Sequence, residues 1–328
     1  MADKLKIILV GDAPLYQTTL KKLGHLPLLF PVSQFYAPSI LNRLVNEALQ
    51  FVGPTPDFWG AGRMGKILEK EFAAFQPHLA IFFDPIYFSP VTLQKLQEKH
   101  AIPFFSFFSD DAFVQKNASR FFYESIPLYD LHFTTRPENV SDFLQNKARR
   151  AIALPMAFFP IEKAVNPPRE STVDVGFFGN HSSVTKDKYL ARLGREISSL
   201  GVYPKYEELS QWAPAAKIAA VFSPKGGAED SSDYMLGVPG CGTFLLHERN
   251  EEVKEIFREG IEAEFFSEYT EFRDKIAFYL KNPSARQDIA KKGYDRVHRP
   301  DLSLEHRVQA MLWEYRQLIS SPHWRRTA

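Results

Sequence analysis

The chain has 328 residues, more than the ~250–300 at which a single hydrophobic core stops growing, so two domains are expected. Hydrophobic residues make up 45% and charged residues 24%, as in ordinary globular chains, and 40 basic against 39 acidic side chains leave a net charge of +1. That balance excludes a chain-wide field recruiting nucleic acid or an anionic membrane, and the single cysteine, Cys241, excludes an intrachain disulfide framework or a cysteine-built metal centre.

The 29 phenylalanines predict aromatic-rich cores. No stretch approaches the ~18 apolar residues of a membrane span. The opening MADKLKIILV lacks a cleavage pattern and reads as a first strand, so a cytoplasmic location is expected. Trp324-Arg325-Arg326 reads as a frayed tail.

Lys6 to Val10 is predicted as a buried strand ending in Gly11-Asp12-Ala13-Pro14, with Pro14 in the first turn of a helix that Gly24 ends. A short strand at Pro27 to Phe30 and a helix at Ile40 to Phe51 follow. Gly53 to Gly65 reads as a loop entering a helix at Lys66 to Phe75. Then come a strand (Leu79 to Phe83), a helix (Pro90 to Lys99) and a strand (Pro103 to Phe108) ending at Ser109-Asp110-Asp111. Leu131 to Thr134 and Ala151 to Leu154 are short strands around a helix near Val140 to Leu144. Strands alternating with helices predict an α/β fold, its sheet parallel and covered on both faces.

The stretch from Phe159-Pro160 through Pro167-Pro168 reads as a linker, with a boundary near residue 165. The second half restarts with a strand, Val173 to Phe178, and the turn Gly179-Asn180-His181-Ser182-Ser183. One long helix is predicted from about Lys186 to Leu200, with Leu190, Leu193, Ile197 and Leu200 on one face. Strand-like runs at Ile218 to Phe222 and Thr243 to His247 flank Glu229 to Leu246. Helical periods mark Val253 to Phe257, Phe272 to Leu280 and Leu304 to Tyr315.

Taken in order, several segments resemble the glycosyltransferases of the spore maturation protein CgeB type, within the two-Rossmann-domain class called GT-B. They are Gln76-Pro77-His78-Leu79-Ala80-Ile81, Pro103 through Asp111, Tyr129 through Thr135, Val173 through Asn180, Gly240 to Leu246, and Ile289-Ala290 through Gly293 with His306-Arg307. The resemblance implies two Rossmann-like domains facing a cleft: acceptor domain 1–165, nucleotide-sugar domain 166–300, and a last helix, 301–328, crossing back to the first. It implies sugar transfer from a UDP- or GDP-type donor to a hydroxyl-bearing acceptor, which could be protein, glycan or small molecule. No cofactor or metal is implied, and a homodimer is possible. A catalytically degenerate GT-B module acting in binding or protein interaction is the alternative.

In related enzymes one Glu contacts the donor sugar and a second, eight positions on, contacts the ribose. Here Glu229 holds the first position and Gly237 the second. A common Ser-Asp-Arg start reads Ser232-Asp233-Tyr234, so a guanidinium that would pair with diphosphate is replaced. Lys225, or the backbone amides of Gly226-Gly227 and the helix start at Ser231-Ser232, could hold phosphates in its place. Gly240 and Gly242 either let backbone approach a ligand or make a tight C-cap. The donor set is therefore Gly11, Asp12, Gly179, Asn180, Ser182, Lys225, Gly227, Glu229, Ser232, Asp233, Tyr234, Gly242 and Thr243. Asp110 and Asp111, at a strand end, could deprotonate an acceptor hydroxyl or cap the next helix, and His181 could carry a proton or lie solvated. Gly11-Asp12 is too sparse for a G-x-G-x-x-G dinucleotide fingerprint, and no D-x-D marks a metal.

Overall fold

A computed structural model describes residues 4–35, 61–86, 88–109, 111–113, 120–154, 156–159, 173–179, 184–197, 199–203, 205–223, 232–322 and 324. The expected helix Ile40 to Phe51 and most of the linker lie outside these residues. The chain divides into two compact units, Met1–Pro155 with Glu305–Ala328, and Met156–Leu304.

In unit 1 the strands are β1 (Lys6–Val10), β2 (Leu26–Phe30), β3 (Leu79–Phe83), β4 (Phe104–Phe108), β5 (Leu131–Thr134) and β6 (Ala151–Ala153). They form one sheet in the order β2-β1-β3-β4-β5-β6, with every pairing parallel. The helices are α1 (Pro14–Lys22), α2 (Ala61–Phe75), α3 (Pro90–Lys99), α4 (Arg120–Ser125) and α5 (Glu138–Gln145). β3 and β4 are buried along their whole length, as the continuous apolar runs LAIFF and FFSFF require. Phe72, Phe82, Phe88 and Phe104 pack in one core cluster, and Phe108, Phe122 and Phe143 in another. Each fully buried Phe side chain contributes about 1.5–3 kcal/mol of transfer free energy.

Unit 2 has strands β7 (Val173–Phe178), β8 (Leu200–Tyr203), β9 (Ala216–Val221), β10 (Phe244–Glu248) and β11 (Glu264–Phe266), ordered β11-β10-β9-β7-β8 and again all parallel. Its helices are α6 (Val184–Leu193), α7 (Leu209–Trp212), α8 (Ser232–Gly240), α9 (Glu251–Ile256), α10 (Tyr269–Lys281) and α11 (Pro283–Val297). Strand alternation sends Val175, Phe177, Ile218 and Ala220 into one core cluster, and Phe178, Ala219 and Val221 into another. The final helix, α12 (Leu304–Ser320), docks on unit 1. There Glu314 takes both Arg150 Nη1 (2.6 Å) and Nη2 (3.2 Å), and buried Arg307 donates to Tyr16 Oη at 3.1 Å.

Two helices differ from expectation. α2 begins at Ala61, five residues before Lys66, so Gly62 and Gly65 are helical. A Cβ on Gly65 would lie 2.8 Å from Thr92 Oγ1, so this glycine sets the close approach of α2 to α3. The single helix expected from Lys186 to Leu200 is instead α6, a turn and β8. Glycine costs a helix interior about 1 kcal/mol, and Gly194 follows the last helical residue, Leu193. Leu200 then pairs with Val175 of β7. Leu190, Leu193, Ile197 and Leu200 all reach the same core, but from three kinds of structure. β11, α4, α7 and α11 lie where the sequence predicts no element.

Between β4 and β5 sits a buried polar pair. Ser106 Oγ and His132 Nδ1 are 2.6 Å apart, His132 Nε2 lies 2.9 Å from Ile126 O, and the imidazole stacks on Phe143. Burial pushes the His132 pKa down from its ordinary 6.5 to about 4, the Ile126 carbonyl opposing in part. The neutral ring therefore stabilises the fold above the unfolded value, and that stability is lost as pH falls from about 6.5 through about 4. The full loss is about 3 kcal/mol. Urea midpoints at pH 7 and pH 4.5 measure it. His132→Gln should be less stable at pH 7 yet less acid-sensitive, and an unchanged acid sensitivity would assign the effect to other groups.

Candidate functional site

In a parallel sheet whose strand order reverses, loops diverge at the switch point and leave a crevice at the carboxyl ends of the strands. Counted within each unit, both sheets share the order 2-1-3-4-5, unit 1 adding a sixth strand. The switch points therefore lie between β1 and β3 in unit 1, and between β7 and β9 in unit 2.

At the carboxyl edge of unit 2, Gly179 follows β7 with φ +118, and its amide donates to Tyr203 O at 3.3 Å. Lys186, in the first turn of α6, is 5% exposed and donates from Nζ to Gly179 O at 2.8 Å. Burial lowers its pKa, while Asp187 opposes the shift. A buried ammonium is costly unless hydrogen-bonded or paired, so Lys186 is a pre-placed cation beside the glycine turn. In the sequence, a Lys in an opening helical turn looks like a solvated residue. The one signal was its position seven residues after Gly179.

After β9, the Ser223 amide donates to Glu248 Oε2 at 2.9 Å and Asn250 Nδ2 donates to Ser223 Oγ, tying the ends of β9 and β10 together. α8 then begins at Ser232, with Asp233 half-buried in its first turn. Asn180, His181, Ser182, Lys225, Gly227 and Glu229 lie outside the described residues.

The remaining donor candidates separate. Tyr234 is 4% exposed, a member of the core, with its ring edge-on to Tyr206 at 5.5 Å. Gly237 is buried in mid-helix, where an added Cβ would lie 2.5 Å from Leu209 Cδ2. Gly242 has φ +76 and donates to Pro239 O at 2.8 Å, which closes α8 as a C-cap. Thr243 is buried just before β10. Gly242 and Thr243 therefore lie at the amino edge of the sheet, a helix length of about 13 Å from Ser232. The structure brings together Gly179 and Lys186, and does not bring Gly242 or Thr243 to them.

In unit 1, Gly11 and Asp12 follow β1 at the switch point. Asp12 accepts from Ser33 N (3.1 Å) and Ser33 Oγ (2.7 Å). Asp84, after β3, has φ +44 and accepts from Ser109 N and Oγ, both at 3.1 Å. Asp111 Oδ1 accepts from Phe113 N and Asn139 Nδ2, both at 2.9 Å, so its carboxylate staples its own loop. Asp110 lies outside the described residues. Among the described residues no group of three or more His, Cys, Asp and Glu could hold a metal ion, and no helix is long and apolar enough to cross a membrane.

The two parallel, Rossmann-like sheets match the fold of solved GT-B enzymes. Residues 187–313 match a family model described as glycosyl transferase-like. The fold is similar to Anabaena Alr3699/HepE in complex with UDP, at 12% identity and TM-score 0.62, over 95% of this chain and 100% of that one. It is also similar to sucrose-phosphate synthase from Thermosynechococcus elongatus, at 12% identity and TM-score 0.61, over 97% and 100%. A third is α,α-trehalose 6-phosphate synthase from Burkholderia multivorans, at 11% identity and TM-score 0.61, over 97% and 99%. No curated protein matches the sequence.

Proposed function

We propose that the protein is a nucleotide-sugar-dependent glycosyltransferase of the CgeB type, moving a sugar from a nucleoside diphosphate to a hydroxyl-bearing acceptor. The observation that carries this reading is the buried Lys186 ammonium held against the Gly179 turn at the switch point of unit 2. A cation there, beside a glycine turn and a helix start, suits a diphosphate leaving group. The family match over 187–313 points the same way, and a structural neighbour was crystallised with UDP and with UDP-glucose. Unit 2 takes the donor, with Asn180, Ser182, Lys225, Gly227, Glu229, Ser232 and Asp233 around the diphosphate and sugar. Unit 1 takes the acceptor, with Asp110 or Asp111 receiving its proton. We place the protein in the cytoplasm, where its lone cysteine stays reduced, and leave homodimerisation to a sizing measurement.

Thermal-shift titration with UDP, GDP, ADP, dTDP and CMP tests the donor reading. One of them should stabilise the fold, by about 2.7 kcal/mol at a hundredfold excess over Kd. Silence from all five removes the reading. Binding without release of nucleotide from any nucleotide-sugar supports the second reading, a degenerate module. That reading is favoured by Tyr234 and Gly237, which the core absorbs.

A further inference from the structure

Among the carboxylates of unit 1, Asp84 has the unusual backbone. It follows β3 at the switch point, is exposed, and adopts φ +44, a left-handed conformation uncommon outside glycine. Such strain persists only where the surroundings over-determine it. Here they do. The Asp84 amide donates to Phe107 O at 2.9 Å, and its carbonyl accepts from Ile86 N at 2.8 Å. Its carboxylate takes Ser109 N on one oxygen and Ser109 Oγ on the other, both at 3.1 Å. Glycine would fill φ +44 without strain, so the side chain, and not the backbone, gives this position its purpose.

Ser109 is the first residue after β4, and Asp110-Asp111 follow it directly. Other groups hold the same turn from the β5 side. Thr135 Oγ1 donates to Ser109 O at 2.6 Å, Asn139 Nδ2 to Asp111 Oδ1 at 2.9 Å, and the Ala112 amide to Asn139 Oδ1 at 3.1 Å. Asp84 supplies the support from the β3 side, so the turn is gripped between the two strands that flank β4. Beneath Asp84, the buried Tyr16 ring lies 4.7 Å from Phe83, and its phenol accepts from buried Arg307 Nη1 at 3.1 Å. A packed floor of this kind gives the Asp84 side chain a fixed base from which to hold Ser109.

We propose that Asp84 is a positioning residue for acceptor activation: through Ser109 it fixes the turn that carries the acidic pair. The assignment rests on the glycosyltransferase reading and names what holds its base in place. In the step it serves, the acceptor O–H proton passes to the base and the oxygen bonds the anomeric carbon. The bond from that carbon to the diphosphate oxygen breaks, and its electron pair leaves on the nucleoside diphosphate. Water is the acceptor in the test. Release of nucleotide from UDP-, GDP-, ADP- and dTDP-glucose is followed for wild type, Asp84→Gly, Asp84→Asn, and Asp84→Gly combined with Ser109→Ala. Asp84→Gly relieves the strain and should melt within a few degrees of wild type. It should still lower kcat by about tenfold to a hundredfold, with KM and UDP affinity unchanged. Asp84→Asn tolerates the left-handed backbone and keeps one acceptor oxygen, so it should recover most of that loss. Adding Ser109→Ala to Asp84→Gly should lower kcat no further. Full turnover in Asp84→Gly overturns the assignment, and so does a parallel loss of UDP affinity, a further loss in the double variant, or no recovery in Asp84→Asn. A wild type that binds UDP but releases nucleotide from none of the four sugars removes the assignment and leaves nucleotide binding standing. If it binds no nucleotide, the nucleotide-sugar reading falls first.

Discussion

Gly11→Ala should destabilise unit 1 by about 4 kcal/mol, a fall of roughly 10 °C in melting temperature. Two costs combine. The residue sits at φ +131, where a side chain is strained by about 1–3 kcal/mol. An added Cβ would also lie 2.8 Å from Phe83 Cβ and 2.9 Å from Phe83 O. Those atoms belong to β3, a buried central strand that cannot withdraw, so overpacking adds about 1–3 kcal/mol. Gly24→Ala separates the two costs. Gly24 has φ +87, and nothing lies within 4 Å of its Cβ position, so it should show the strain alone. Equal shifts in the two variants would show that the Phe83 contact contributes nothing.

Lys186→Met should cost some stability and weaken a phosphate-bearing ligand selectively. Methionine keeps much of the side chain's length and removes a buried charge. It also leaves the Gly179 carbonyl without its donor, so the ligand-free protein should lose about 1–3 kcal/mol and melt a few degrees lower. UDP affinity should fall by about tenfold or more, since hydrogen bonds to charged groups carry about 1.5–3 kcal/mol. Uridine, which has no phosphate, should bind both proteins alike. The contrast is read by melting curves together with UDP and uridine titrations. A variant that melts lower and keeps its UDP affinity would make Lys186 a clamp on the Gly179 turn and nothing more.

Much of the fold was legible because local chemistry coincides with it. LAIFF, FFSFF and VDVGFF can be little else than buried strands, and Pro14, Pro90 and Gly24 mark helix ends by backbone geometry alone. Legibility failed where one hydrophobic period serves two structures. Leu190 to Leu200 keeps a helical spacing, yet its last leucine belongs to an edge strand whose partner is 25 residues away at Val175. It failed again at Gly65, where a glycine that reads as loop is a contact between two helices.

The candidate site divides in the same way. Gly179 at the end of a buried strand was legible from one segment. Lys186 was not, since its burial depends on residues that fold over it. Nor was the fate of Tyr234 and Gly237, which depends on Tyr206 and Leu209, about thirty residues earlier in the chain. Gly242 and Thr243 are neighbours of the motif in sequence, but α8 carries the chain the depth of the sheet before reaching them.

The sequence by itself determined that this chain builds two parallel α/β sheets, because strand, turn and helix signals are local and repeat in order. Only the tertiary structure decided which polar groups share the carboxyl edge of unit 2. Burial and proximity come from strands and helices distant in the chain, and no local pattern encodes the depth at which a lysine or a tyrosine comes to rest.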